Sequence, residues 1–456
     1  MFPRQRFGRI GVMMTVDSLP LFGTDGIRCL VGQFPLQDHV MPFIGYGVGQ
    51  WIIKNQDGIN PCVIMGQDTR QSSSSIAQAL CQGLHGSGVQ VWDAGVVPTP
   101  ALSFFARHFQ CVAFMVSASH NPFAYNGIKF FNSLGQKLSL DQEQALSDCI
   151  HDAIARRPVP KGNGMCDRII LSAPYEDFVC DAVGSLRGIK VVLDAANGAL
   201  YAIAARLFER CGATIIARFG MQPDGRNIND QCGSLHPETV QQAVKDTGAD
   251  LGILFDGDGD RVIIVDRHGR VHDGDQIVAC LASLHSDDKG VVGTVTSNMG
   301  LELFVNRTKG AGRFVRAPVG DRWIADALRT YGWTIGGESC GHVLTTDLLP
   351  TGDGLLVGLH IAKTVAHHGD VFPLFDTVPC AAHNVHVADT TIVQQTTIQE
   401  WYRTTQKSVT TQGGRFVMRP SGTEPVIRFL IEMPDQRHAQ SVMNDVINQF
   451  NALCHE

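Results

Sequence analysis

The stretch Cys111-Val112-Ala113-Phe114-Met115-Val116-Ser117-Ala118-Ser119-His120-Asn121-Pro122 organises the reading of this chain. Its apolar half, Cys111 to Val116, predicts a short buried strand. Polar residues and a proline then stop the strand. A serine on a tight loop just past a strand is where an α/β protein presents a reacting group. Taken alone, Ser, Asn and Pro are also ordinary turn formers. The surrounding pattern adds the fold. Val63–Met65 and Val89–Trp92 read as strands, and Ile76–His85 and Ala101–Phe109 as helices. Ser72 to Ser75 look like N-cap material and Gly86-Ser87-Gly88 like a helix stop. Asn126–Phe131 returns the chain as another strand and carries Lys129. This β-α-β-α alternation predicts a parallel or mixed sheet.

The alternation restarts after a polar stretch around Arg156–Asn163, which reads as a linker. Ile189–Leu193, Thr214–Ala217 and Leu251–Phe255 read as strands, with helices over Ala199–Arg210 and Pro237–Thr247. It restarts again with helices at Asp275–Leu284, Leu301–Arg307 and Arg322–Arg329 and strands at Val291–Val295 and Phe314–Arg316, followed by a helix near Leu355–Val365. The last segment, from about Val385, alternates a polar helix, two strands (Arg415–Met418 and Val426–Ile431) and a terminal helix, Gln436–Leu453. The pattern gives four units, three alike and one smaller α+β unit.

Composition narrows the function. Hydrophobic residues make up 44% of the 456 and charged residues 18%, as in a folded globular protein. No apolar run reaches the roughly 18 residues of a membrane helix. The formal charge of -7 gives no global basic field for nucleic acid, so an anionic ligand must be held by local Arg and Lys clusters. Thirteen scattered cysteines without a C-x-x-C pair fit a reducing cytosol, with most thiols packed as small hydrophobes. Residues 1–16 carry Arg4, Arg6 and Arg9 and no acid, and have no apolar core long enough for a secretory signal. They read as a disordered extension, or as the product of a start placed ahead of Met13 and Met14.

Three further loops carry chemistry. Asp256, Asp258 and Asp260 stand at i, i+2 and i+4 with glycine between them. Three carboxylates this close repel each other unless a cation neutralises them, and an all-oxygen set suits Mg²⁺ or Ca²⁺. An EF-hand needs Gly at the sixth position and Glu at the twelfth, where this chain has Arg261 and Arg267. A phosphate oxygen fills an open position on such a metal, which points back to Ser119. Arg419-Pro420-Ser421-Gly422-Thr423-Glu424-Pro425 offers a guanidinium, two hydroxyls and turn N–H groups, a set that clamps phosphate. Glu338, Ser339 and Cys340 suit sugar hydroxyls, and His342 is a candidate proton carrier. Apart from these three and the Ser119 loop, Phe22-Gly23-Thr24-Asp25-Gly26-Ile27-Arg28 reads as a loop with Arg28 available to point at an anion.

Four such loops, in this order and spacing, resemble the α-D-phosphohexomutase family, from about Leu21 to near the C-terminus. Phe22–Arg28, Asp273-Gly274-Asp275-Gln276, Val292–Gly300 and Arg316–Trp323 are most similar to its bacterial branch acting on glucosamine phosphates. The resemblance implies a four-domain α/β architecture around a cleft, three similar domains with mixed sheets plus a smaller C-terminal α+β domain. The expected boundaries are 19–160, 165–270, 271–375 and 380–456. It implies that Ser119 is phosphorylated and that Asp256, Asp258 and Asp260 bind one Mg²⁺ together with it. Arg28, His120, Lys129, Arg261 and His342 would surround the reacting phosphate. Glu338, Ser339 and Cys340 would meet the sugar, and Arg419, Ser421, Gly422 and Thr423 the distal phosphate.

The implied reaction interconverts glucosamine 6-phosphate and glucosamine 1-phosphate through a 1,6-bisphosphate, feeding UDP-N-acetylglucosamine and the cell wall. Glucose or glucosamine 1,6-bisphosphate would prime the serine, and His342 or Lys129 would act as the base. The implied partner is a small sugar phosphate, with no nucleic acid and no membrane, in a cytoplasmic homodimer. Two alternatives stay open: a phosphomannomutase or phosphoglucomutase with the same machinery, and a non-catalytic regulator that binds a sugar phosphate. Two departures from the family pattern are Cys29 in place of the usual Gly and Cys340 in place of the usual Ser. A thiol is the poorer hydrogen-bond partner.

Overall fold

A computed structural model describes residues 21–23, 25–55, 62–158, 166–169, 172–284, 289–421 and 424–454. Gly422, Thr423 and residues 1–18 lie outside the described residues.

Among the described residues, four sheets form, one per unit. The first unit runs β1 (Ile27–Leu30), α1 (Met41–Asn55), β2 (Cys62–Gln67), α2 (Ser73–Ser87), β3 (Gln90–Val96), α3 (Thr99–Phe109), β4 (Val112–Val116), β5 (Tyr125–Phe131) and α4 (Leu140–Arg156). Its mixed sheet has the order β1-β5-β4-β2-β3-β6, the last strand being β6 (Asp167–Arg168) from beyond the linker. The connecting helix α5 (Ser172–Val183) leads to the second unit: β7 (Lys190–Asp194), α6 (Ala204–Arg210), β8 (Thr214–Phe219), α7 (Glu238–Thr247), β9 (Leu251–Phe255), β10 (Val262–Asp266) and β11 (Val271–His272). The third unit has α8 (Gly274–Leu284), β12 (Val291–Thr294), α9 (Met299–Lys309), β13 (Phe314–Ala317), α10 (Asp321–Tyr331), β14 (Ile335–Gly337), β15 (Val343–Thr345) and α11 (Gly354–His368). The fourth is a three-stranded antiparallel sheet, β16 (Cys380–His386), β18 (Val426–Glu432) and β17 (Arg415–Pro420), with α12 (Thr396–Thr411) and α13 (Gln436–Cys454).

The central strands β4 and β9, each parallel to one neighbour and antiparallel to the other, are buried along their whole length, as strands covered on both faces must be. One continuous apolar core runs from α3 through the second sheet to α8 and α11, joining the first three units. The fourth keeps a core of its own around Phe416, Phe429 and Phe450. It is tied to the third by polar contacts. Arg415 donates to the carbonyls of Val295 (2.7 Å) and Ser297 (2.8 Å), and Glu432 accepts from the N–H of Met299 at 2.8 Å.

Three expectations need correction. Ile27 and Arg28 are not loop residues but the start of β1, paired antiparallel with Ile128 and Gly127 of β5. The hydrogen bonds of this short edge strand come from a segment about one hundred residues away, which local composition does not reveal. Ser72 stands at the start of α2 without a side-chain cap, and Ser73 Oγ donates to Asp68 instead. The reducing-cytosol reading of the cysteines has one exception among the described residues: Cys81 on α2 and Cys166 are joined in a disulfide, 85 residues apart in sequence.

Candidate active site

All four reactive loops occupy the same topological position. Each follows a strand and turns into that strand's antiparallel neighbour: β4 into β5, β9 into β10, β14 into β15, β17 into β18. The first three meet at the junction of the first three units.

Ser119 sits in the left-handed backbone region, φ 52°, which a non-glycine residue rarely adopts. Its hydroxyl is buried and donates to Asp256 Oδ2 at 2.5 Å. His120 Nδ1 lies 3.4 Å from Ser119 Oγ. The metal loop packs directly on this backbone. A side chain at Gly257 would place a Cβ 2.6 Å from the Ser119 carbonyl oxygen, so only glycine fits there.

The three aspartates converge, each offering a carboxylate oxygen within 4.8 Å of the others. All are buried. Burial, then the charges of Asp260 and Asp258, push the Asp256 carboxyl well above the usual range. The buried Oδ1 atoms of Asp258 and Asp260 have no hydrogen-bond partner. Unpartnered anionic oxygens in a buried cluster are what a hard cation satisfies, so the donor set fits Mg²⁺.

Lys129 is buried on β5 and reaches Asp258 and Asp260, both at 2.8 Å, and Asp25 at 3.1 Å. These pairs belong to a closed ring of alternating charge. Asp260 faces His342 Nδ1 at 3.6 Å, and His342 Nε2 faces Asp321 at 3.2 Å. Asp321 pairs with Lys137 at 2.5 Å, and Lys137 closes on Asp25. The ring takes residues from three units. Burial alone would lower the pKa of His342, but Asp260 and Asp321 outweigh it and hold the imidazole well above its usual range. Asp25, Asp258 and Asp260 likewise outweigh burial at Lys129. Both residues expected to act as a base are therefore cationic in this arrangement. His120 goes the other way. Burial, then Arg261 and Arg28, lower it to about 3, so it is neutral at neutral pH.

Arg28 donates to Asn121 Oδ1 at 3.2 Å and pairs with Asp25 at 3.0 Å. Arg261 points its buried, unpartnered Nε beside Asp260, 3.9 Å away. The Glu338–Gly341 turn rests on the strand leaving the metal loop. Gly341, at φ 91°, leaves no room for a Cβ, which would come 2.3 Å from the Val262 carbonyl oxygen. Burial raises the pKa values of Glu338 and Cys340, against lowering by His342 and Arg261 respectively. Ser339 holds this turn to α8, its carbonyl accepting from Gly274 N–H at 3.0 Å. Arg419 is the penultimate residue of β17, and burial, then Arg428, lower its pKa while Glu338 raises it. Ser421 is buried in the same loop.

Several contacts to these loops come from residues that no motif marks. Thr99 Oγ1 donates to Asp258 Oδ2 at 2.6 Å. Arg70 and Asn229 donate to the Ser119 carbonyl at 2.8 and 2.9 Å. Each acts on a segment 49 to 159 residues away. A local reading offers no signal for them beyond the polar turns in which Arg70 and Asn229 stand.

Models of the phosphoglucomutase/phosphomannomutase domains match in order: alpha/beta/alpha domain I at residues 19–157, II at 175–269, III at 273–378 and the C-terminal domain at 383–449. The chain is 39% identical over 444 residues to a phosphoglucosamine mutase of Cereibacter sphaeroides, covering 94% of this chain and 98% of that one. It is 38% identical over 441 residues to a phosphoglucosamine mutase of Thermus thermophilus, covering 95% and 98%. A solved phosphoglucomutase/phosphomannomutase family protein from Burkholderia thailandensis superposes with a TM-score of 0.77 at 25% identity, over 95% of this chain and 97% of that one.

Proposed function

The chain belongs to the phosphoglucomutase/phosphomannomutase family, and we propose that it interconverts glucosamine 6-phosphate and glucosamine 1-phosphate. The observation that carries this reading is the contact between Ser119 Oγ and Asp256 Oδ2 in a buried three-aspartate loop. It sets a nucleophile-sized oxygen against a cation-binding set. The near-full-length identity to phosphoglucosamine mutases supports the amino sugar as substrate.

Ser119 Oγ carries the phosphoryl group in this scheme. The bond from phosphorus to Ser119 Oγ breaks as a bond to sugar O1 forms, and the O1 proton leaves to a base. The resulting 1,6-bisphosphate reverses in the cleft, and its 6-phosphate returns to Ser119. Arg28 and Arg261, with the cationic Lys129 and His342, face the charge that builds on the phosphoryl oxygens. His120 is neutral and presents its Nδ1 to Ser119 Oγ as an uncharged hydrogen-bonding partner. Asp256, Asp258, Asp260 and Ser119 would hold one Mg²⁺, whose chemistry is Lewis-acid neutralisation of phosphoryl charge. Glu338, Ser339 and Cys340 receive the sugar, and Arg419 with Ser421, Gly422 and Thr423 receives the phosphate that is not reacting. The separate core of the fourth unit supports its swinging during the reversal. A doubly charged sugar phosphate does not cross a bilayer unaided, which supports a cytoplasmic enzyme. Among the described residues no helix is long and apolar enough to span a membrane.

A coupled assay on glucosamine, glucose and mannose 6-phosphates tests the substrate, with glucosamine 6-phosphate expected to give the highest kcat/KM. Mass spectrometry of the purified chain tests the mechanism, with phosphate expected on Ser119 and turnover lost in Ser119→Ala. Normal activity in that variant would remove the assignment.

A further inference from the structure

Ser119 holds its left-handed conformation without help from regular secondary structure. Its N–H donates to Ser117 Oγ at 2.9 Å, and Ser117 Oγ donates in turn to Asp68 Oδ2 at 2.7 Å. Its carbonyl accepts from two side chains, Arg70 Nη2 and Asn229 Nδ2.

Arg70 is the centre of this arrangement. Its side chain is completely buried, and every guanidinium N–H has an acceptor. Nε pairs with Asp68 Oδ2 at 2.8 Å. Nη1 donates to the carbonyls of Pro122 and of Tyr125 (3.0 Å), and Nη2 to those of Ser119 and Asn121, both at 2.8 Å. Four acceptors thus come from the one segment between Ser119 and the first residue of β5, Tyr125. Asp68 is fixed as well, by the Arg70 N–H at 3.0 Å and Ser73 Oγ at 2.7 Å. Asn229 adds a hold from the second unit, donating to Ser119 O and, at 3.2 Å, to Asn121 O.

We propose that Arg70, assisted by Asn229, is a positioning residue for phosphoryl transfer, holding the Ser119 loop in the one conformation that sets Ser119 Oγ on Asp256. The proposal rests on the reading of Ser119 as the phosphoryl carrier. A planar guanidinium gathers four carbonyls that a lysine ammonium, with three donors on one atom, does not. The hold from Asn229 makes the loop's geometry depend on the docking of the first two units.

Arg70→Lys keeps the charge and most of the volume, so it tests geometry. The readout is the single-turnover transfer of phosphate from Ser119 to glucosamine 6-phosphate, per mole of phosphorylated folded enzyme, alongside the steady-state KM. Transfer is expected to slow about 100-fold, as for a misplacement of about 1 Å, with KM within about threefold of wild type. A purely structural arginine would lower the melting temperature and leave transfer per folded molecule unchanged, and that result overturns the proposal. So does a loss confined to KM. If Arg70→Lys does not fold, Asn229→Ala decides, with about tenfold slower transfer expected and the wild-type rate overturning the proposal. Wild-type enzyme without phosphate on Ser119 would remove the functional reading and this proposal together. Phosphorylated wild type with an unimpaired Arg70→Lys would remove the proposal alone.

Discussion

Thr99, the first residue of α3 in the first unit, donates its hydroxyl to Oδ2 of Asp258 in the second at 2.6 Å, and its N–H to the Asp258 carbonyl at 2.9 Å. The middle carboxylate of the metal loop is therefore oriented from outside its own unit. Replacing the hydroxyl by a methyl of equal size removes one of the two groups on that oxygen and leaves Lys129.

Thr99→Val should lower apparent Mg²⁺ affinity by about tenfold or more, the usual effect of losing an outer-sphere hydrogen bond to a ligand. Stability should fall by about 1 kcal/mol. Titrating activity with Mg²⁺ after chelation checks the first and thermal melting the second. An unchanged Mg²⁺ requirement would show that Asp258 does not need this orientation.

Cys340→Ser should preserve or improve turnover of glucosamine 6-phosphate. The thiol is held neutral by burial, and a hydroxyl in its place is the stronger hydrogen-bond partner for a sugar. The gain should be on the order of 1 kcal/mol, a few-fold in kcat/KM. Abolished activity would reveal a role for the thiol that no contact described above supplies.

Arg419→Ala should raise KM by about tenfold while changing kcat less, because a distal phosphate contact is made alike in ground and transition states. Steady-state kinetics at saturating Mg²⁺ separate the two. A pure kcat defect would move Arg419 into the chemical step.

Asp353 gives a pH dependence of stability. Burial raises its carboxyl to about 6, against lowering by hydrogen bonds from Leu356 N–H and Tyr175. A folded pKa above the unfolded one means the native state binds the extra proton. The stabilisation is then fully present below about pH 4 and is lost as pH rises through about 6. The shift corresponds to roughly 3 kcal/mol. Asp353→Asn keeps an acceptor for Leu356 N–H and a polar partner for Tyr175, so it should flatten this part of the profile. Melting temperatures of both proteins between pH 4 and 8 check it, and parallel profiles would place the titration elsewhere.

The reactive loops were legible because each is a contiguous run of residues with chemistry of its own. Ser119, Asp256 and His342 can be found from such runs. Lys137, Asp321, Arg70 and Thr99 cannot, since each draws its role from partners in other segments. The same division holds for the fold. Strands β4 and β9 announce themselves as apolar runs, whereas β1 exists through its pairing with β5. Helix α1 carries Gly45, Gly47 and Gly49, which depress helix propensity. The structure gives the reason: a Cβ at Gly45 would come 2.1 Å from the Leu80 carbonyl oxygen of α2. Helix α4 did carry a readable start, the capping box of Ser139 and Gln142.

The ring of Asp25, Lys129, Asp260, His342, Asp321 and Lys137 limits how this chain can be recombined. Each unit contributes an incomplete arc, net positive from the first, net negative from the second and neutral from the third. The first brings two lysines and one aspartate, the second one aspartate, the third an aspartate and a histidine. A chimaera that takes its first unit from a relative lacking either lysine inherits an arc that no longer cancels the other two. Single drift at any position but Asp25 leaves two neighbours on different units with surplus charge. Tolerated changes at these positions should therefore arrive as matched pairs, which for Lys137 and Asp321 lie 184 residues apart in the chain.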